Sequence, residues 1–543
     1  MLRHLLRLGA VTALGLGLVV GALSGVQADS VSATITVGTQ PFDVVISPDG
    51  TRAYVPNAAS GTVSVIDTTT NSVVATVGVG SSPVRVAITP DGTRVYVANE
   101  TGGTVSVIDT ATNGVVATVP VGTFPERLVI TPDSTRVYVA NYVDSTVSVI
   151  STATNTVITT VDISVGNTYP YNAATSLAIS PDGTRVYAAR YDGTVLVIDT
   201  ATNAIVAAIP TGTTGVYTMP VSPDGSLVYA IGGQSGTVAV IDTATSTVTP
   251  VPAGDGATAG VLTPDGTRIY IANRWDGTVS VVDTATNTLT ATVPLSPSGS
   301  YPSTLAITPD GTRVYVTGAV TDSWVPAIAV IATATDTLAT TIPTSVVGAI
   351  AITPDGTCAY VVSSGASSTT VLALALDAPP RIGTTTLPGG RVGTGYTEAV
   401  AATPGVTFAV TAGTLPGGLA LDPDTGAVTG TPSVTGTFTV DITASGTVSG
   451  IVMTDTKTYT IQILSDAPDD ETDDDPGAGG PPTGGPATSG PATTDAPAMT
   501  AAEALAATGA GATGVLLAVA ASALALGAVG VGASRRARTR TSV

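Results

Sequence analysis

Between residues 31 and 377 one motif recurs eight times, and it limits the fold more than any other feature: a Pro-Asp-Gly turn followed, five residues after the Asp, by a Tyr in a short apolar run. The turns are centred on Asp49, Asp91, Asp133, Asp182, Asp224, Asp265, Asp310 and Asp355, and in the third copy Ser134 stands in place of the Gly. Successive spacings are 42, 42, 49, 42, 41, 45 and 45 residues. A repeat of this length holds four short strands, and units that each form one small sheet bury their faces by stacking radially. The expected fold is all-β, a β-propeller.

The second copy shows the parts. Val86 to Thr89, Arg94 to Asn99, Thr104 to Asp109 and Val115 to Pro120 read as strands. Pro90-Asp91-Gly92 joins the first pair, where Pro presets φ and Gly accepts a positive φ, and Thr110-Ala111-Thr112-Asn113 joins the last pair. Both faces of a blade meet neighbouring blades, so its strands should be apolar or small on both sides, as Val95, Tyr96, Val97 and Ala98 are. The recurring tyrosines, from Tyr54 to Tyr360, read as packing between blades. The eighth copy stops after three strands, near Leu376, while a spare strand, Val31 to Val37, precedes the first copy. Pairing these segments closes the ring and removes its open edges. Eight four-stranded blades follow.

Copies such as Tyr96-Val97-Ala98-Asn99 and Tyr138-Val139-Ala140-Asn141 resemble the YVTN repeat family of β-propellers found in bacterial and archaeal surface proteins. The resemblance spans the whole repeat region, 29–377. It implies the fold, with seven blades as the alternative count seen in relatives, and it does not specify function, because propellers host binding proteins and enzymes alike.

The ends read as an address. Residues 1–28 have the form of a secretory signal: basic Arg3 and Arg7, an apolar run from Leu8 to Ala22, and Val26-Gln27-Ala28 as a cleavage site. At the other end stand Leu505, Ala506, Ala507, Thr508 and Gly509, then an uncharged apolar stretch from Ala510 to Ala533, then Arg535, Arg536, Arg538 and Arg540. A helix of that length reaches roughly 36 Å, enough for a bilayer, with the basic tail cytoplasmic. Residues 505–543 resemble a Gram-positive cell-wall sorting signal of the LAxTG form. That resemblance implies sortase cleavage between Thr508 and Gly509 and attachment of Thr508 to peptidoglycan; a plain membrane anchor is the other reading.

Residues 378–465 lose the period. Leu415-Pro416-Gly417-Gly418-Leu419, Asp424-Thr425-Gly426 and Gly430-Thr431-Pro432 resemble the Ig-like modules of bacterial surface proteins, which implies a small β-sandwich; cadherin-like relatives bind calcium, and Asp422 with Asp424 would supply only a fragment of such a site. Residues 466–504 are rich in Pro, Gly, Thr and acid, without an apolar period, and read as a disordered tether.

Residue supply bears on chemistry. The only His is His4 and the only Cys is Cys358, so beyond the signal there is no imidazole for proton transfer, for metal ligation or to activate a nucleophile. No cofactor motif is present. Residues 29–509 carry 13 Lys and Arg against 39 Asp and Glu, and a surface this acidic repels nucleic acid.

The topology also sorts the loops. Pro-Asp-Gly and Thr-Ala-Thr-Asn turns share one face of the disc, and the opposite face collects the loops that differ between copies. Trp275, Trp324 and Tyr169 fall there with Arg85, Arg127, Arg190, Arg274, Asp43 and Glu126. Aromatic residues and Arg are the types that carry recognition, so these form the candidate binding surface for a glycan or protein. Two further readings stay open: a lactonase-like hydrolase using Asp43 and Glu126 with a divalent ion, and a structural wall or surface-layer component.

Overall fold

A computed structural model describes residues 29–465 except 165–172, 234–235, 296–299, 321–325, 364, 378–379, 404 and 449–450. The chain is all-β, with eight four-stranded antiparallel sheets and then a separate pair of sheets. The second blade comprises Pro83–Ile88, Arg94–Asn99, Thr104–Asp109 and Gly114–Pro120. Its first strand starts three residues earlier than the sequence pattern places it, because a register shift between Pro83 and Arg85 lets the ladder continue through a bulge.

The first strands of successive blades touch one another around the ring, and that of the first blade, Val45–Ile46, meets that of the eighth, Ile350–Ile352. They therefore form the innermost layer. The eighth blade is completed by Ser30–Thr36, which pairs antiparallel with Thr370–Ala375. Eight blades close the disc as the sequence implies.

Two local devices explain why the repeat stacks. At the first turn the Gly takes φ near +70°, as at Gly92 (+72°), and Ser134 is held at +60° in the third copy. At the last turn of the first, third and fourth blades an Asn takes the left-handed conformation, and its side chain accepts a hydrogen bond from the buried Tyr of the preceding blade: Tyr96 to Asn155 at 3.1 Å, Tyr138 to Asn203 at 2.7 Å, Tyr360 to Asn71 at 2.6 Å. Thus the same turn residue ends one blade and satisfies a buried hydroxyl of another.

In the eighth blade no such turn exists, since its outer strand comes from the other end of the propeller. Asp29 stands in the turn's place. Its carboxylate accepts from Tyr315 Oη at 2.7 Å, from Arg313 Nη1 at 2.9 Å and from the Asp377 backbone N–H at 2.8 Å, and the Arg313 and Asp29 side chains are both fully buried. Arg313 Nη2 also donates to the Asp377 carbonyl. One ionic latch binds the two ends of the ring.

Beyond the propeller, a four-stranded sheet (Gly390–Arg391, Ile451–Leu464, Gly436–Val448, Thr407–Gly413) and a three-stranded one (Tyr396–Ala399, Ala427–Gly430, Leu419–Leu421) enclose their own core around Val400, Phe408, Val428, Ile442, Tyr459 and Ile461. Asp422 accepts from the backbone N–H groups of Asp424 (3.0 Å) and Thr425 (2.8 Å), so it caps a turn of the sandwich.

Candidate functional site

Counting back six residues from each turn Asp gives one equivalent place on or beside every innermost strand. The first three blades put Asp43, Arg85 and Arg127 there, and the remaining five put Ser176, Thr218, Ala259, Thr304 and Ala349. One arc of the ring is charged and the rest is small. All three charged residues are buried, at 3%, 4% and 8% exposure, although the sequence pattern assigns them to loops. For the two arginines the reason is local: a register shift at the start of each strand, between Pro83 and Arg85 and between Pro125 and Arg127, sets them in the innermost layer.

Their side chains lean from blade to blade. Asp43 accepts from the backbone N–H groups of Val44 (2.9 Å) and of Val86 in the second blade (3.4 Å). Arg127 Nε donates to the Thr175 carbonyl of the fourth blade at 3.3 Å. Arg85 lies over the Phe42 ring, 4.9 Å from its centroid, and Nη1 donates to the Val84 carbonyl at 3.3 Å. Neither guanidinium makes an ion pair within 4 Å among the described residues, and Arg85 Nε and Arg127 Nη2 are buried without a hydrogen-bond partner.

The electrostatics follow from that burial. Desolvation raises the Asp43 carboxyl above its ordinary value, against the pull of Arg85, of its two backbone donors and of Arg127. It also brings Arg127 down to about 10, helped by Arg85 and opposed by Glu126 and Asp43. Glu100 is raised too, by burial and then by Glu126. Asp43 and Glu126 are thus both close enough to act on Arg127.

Aromatic residues stand close to Glu126. Burial, then Glu126, then Tyr191 and Tyr217, push the Tyr142 phenol up, and Tyr217 in turn responds to burial, to Tyr191 and to Arg274. Tyr142, Tyr191 and Trp275 remain 39%, 49% and 58% exposed. Arg274 sits over the Trp275 ring at 5.7 Å. That indole lies directly against Gly256, where φ is +72° and a Cβ would come within 2.0 Å of Trp275 Cδ1. Phe124, with φ of +55°, is held exposed just ahead of the third blade. Loop carboxylates brace this rim: Asp144 accepts from Thr123 N–H at 2.6 Å and Asp276 from Asp255 N–H at 2.7 Å.

Arg190 plays a different part from that expected. It occupies the place held by Asn99 or Asn141 in other copies, is 5% exposed, pairs with Asp192 at 2.7 Å and donates to the Ile163 carbonyl at 3.3 Å, so it joins adjoining segments from within. Trp324 and Tyr169 lie outside the described residues, as do the signal segment, the tether and Leu505 to Gly509. The Arg85–Phe42 stack and the Tyr142–Tyr191–Tyr217 group were not anticipated as units. Their one sequence trace is positional, Phe42, Glu126 and Tyr217 each standing seven residues before a turn Asp. A groove of about 620 Å³ on the sandwich, beside Gly390, Arg391, Tyr396 and Glu398, holds none of these residues.

Residues 379–464 match the family model described as "Putative Ig domain". No curated protein matches the chain. Among solved structures, the dihydro-heme d1 dehydrogenase NirN in complex with DHE is similar at a TM-score of 0.52 and 16% identity, over 64% of this chain and 76% of that one. The hydrazine synthase of Kuenenia stuttgartiensis is similar at a TM-score of 0.44 and 24% identity, over 55% of this chain and 97% of that one. At such identity the NirN likeness speaks to the β-propeller fold and leaves the activity of this chain open.

Proposed function

We propose that this chain is a binding protein held on the cell surface, whose propeller recognises a glycan or protein through its variable face without catalysing a reaction. The observation that carries the reading is the group of exposed aromatic residues, Tyr142, Tyr191 and Trp275, with Arg274 stacked on Trp275 and Glu126 close to Tyr142. Flat rings held by a rigid scaffold give contact area at little entropic cost, which suits recognition. The repeat, the signal-like start and the sortase-type end fit a YVTN-type protein exported and joined to peptidoglycan, with the sandwich and tether holding the disc outward. The repetitive face offers no comparable cluster.

The test is an array of wall glycans, host-matrix glycans and proteins probed with the full chain. Binding that weakens at least tenfold in Trp275→Ala is the expected result; an array on which the wild type binds nothing overturns the reading. Hydrolysis of lactones, with or without added divalent ions and dependent on Asp43 or Glu126, would replace it with the enzymatic alternative.

A further inference from the structure

Arginine is used in two ways in this propeller. At the starts of the second strands Arg52, Arg94 and Arg185 meet Asp67, Asp109 and Asp199 at 2.6, 2.6 and 2.5 Å, and the buried Arg313 meets Asp29. Arg85 and Arg127 are buried nearly as deeply as Arg313 and have no such partner. Each makes one long hydrogen bond to a carbonyl, of the up to five N–H donors a guanidinium carries. The neighbouring carboxylates do not neutralise them by contact: Asp43 is occupied by backbone N–H groups, and among the described residues Glu126 and Glu100 form no ion pair with either. A buried guanidinium left without a partner is costly to keep. The ring shows that nothing in the fold demands it, since five blades place Ser, Thr or Ala at the same position.

We infer that Arg85 and Arg127 form an oxyanion subsite, holding a carboxylate or phosphate group of the ligand that the aromatic rim recognises. This rests on the recognition reading above. Planar guanidiniums present paired N–H groups that match such oxygens bidentately, and the low-dielectric setting strengthens the contact. Phe42 behind Arg85 fixes one fork, and the Thr175 carbonyl orients the other. Glu126 and Glu100 nearby would disfavour an anion of high charge and leave room for a single acidic group on a larger, mostly neutral ligand.

Thermal unfolding of the full chain is followed with inorganic phosphate, D-glucuronate and neutral D-glucose, at constant ionic strength set with chloride. A saturable rise in Tm is expected with phosphate or glucuronate and none with glucose; whichever anion acts names the source chemistry. Arg85→Gln and Arg127→Gln should each raise the half-saturating concentration at least tenfold, and without anion each variant should melt no lower than the wild type. No saturable response of the wild type to either anion overturns the inference, as does an equal response in both variants or a lowered Tm in the absence of anion. Arg127→Lys, which keeps the charge and loses the fork, is likewise expected to weaken the response. The two readings fail separately: array binding unchanged in both Gln variants sinks the subsite and spares the rim, whereas an empty array sinks the rim while the anion titration still decides the subsite.

Discussion

On the repetitive face of the disc Asp182 lies below its ordinary carboxylate range, because Ser180 donates to it and then the Thr184 backbone N–H does, and Ser222 with Ser226 does the same for Asp224. On the variable face Asp43 and Glu100 are displaced the other way, by burial. The arginines divide alike: Arg94 is one-third exposed and paired with Asp109, whereas Arg85 and Arg127 are buried and unpaired. One repeat has therefore produced a face whose arginines meet carboxylates and a face where two buried guanidiniums have no ion-pair partner among the described residues.

The sharpest way to break this comparison is at the latch. Asp29→Ala strands a fully buried Arg313 and the Tyr315 hydroxyl, and the expected loss is about 3–5 kcal/mol, read from denaturant unfolding. A loss below 1 kcal/mol would show that the ring's closure does not depend on that pair. Acid should act next. Carboxylates such as Asp49, Asp182, Asp224 and Asp265, held low by Ser or Thr hydroxyls and backbone N–H groups, bind fewer protons folded than unfolded, so their contribution is complete above about pH 4 and is lost as pH falls through their lower folded values. Asp43 has the opposite sign, its raised value favouring the folded state as pH falls. Denaturant midpoints from pH 2 to 6 should drop steeply at the acid end in the wild type, and Asp43→Asn should leave that drop in place.

Smaller effects sharpen the same division. Tyr138→Phe removes the 2.7 Å hydrogen bond to Asn203 across the third and fourth blades and should cost about 1 kcal/mol. Ser134→Gly relieves a left-handed residue in the one copy that lacks the glycine, and a gain of about 1 kcal/mol is expected in the same unfolding assay. Arg94→Gln, in a partly exposed ion pair, should change stability by about 0–1 kcal/mol, far less than loss of the buried latch.

How much of this was legible follows from the nature of a repeat. Strand order, the turns and the role of Val31 to Val37 were readable because each copy repeats the same alternation and the last lacks one strand. The packing role of the tyrosines was readable for the same reason; the Asn that receives the Tyr96, Tyr138 or Tyr360 hydroxyl comes from the next blade and was not. Arg190 looked like a loop residue and proves to be wedged in an Asn slot, which only the neighbouring segment reveals. Asp43, Arg85 and Arg127 were recognised as unusual, and their burial was not.

The sequence by itself determined the propeller, its eight blades and the inequality of its faces, because those depend on period, turn chemistry and residue type along one chain. Tertiary structure alone decided which charges are satisfied. Asp29 finds Arg313 across 284 residues, while among the described residues Arg85 and Arg127 find no carboxylate within pairing distance. Pairing and desolvation depend on what the adjoining blade brings to within a few ångströms, and no periodicity within a single repeat records that.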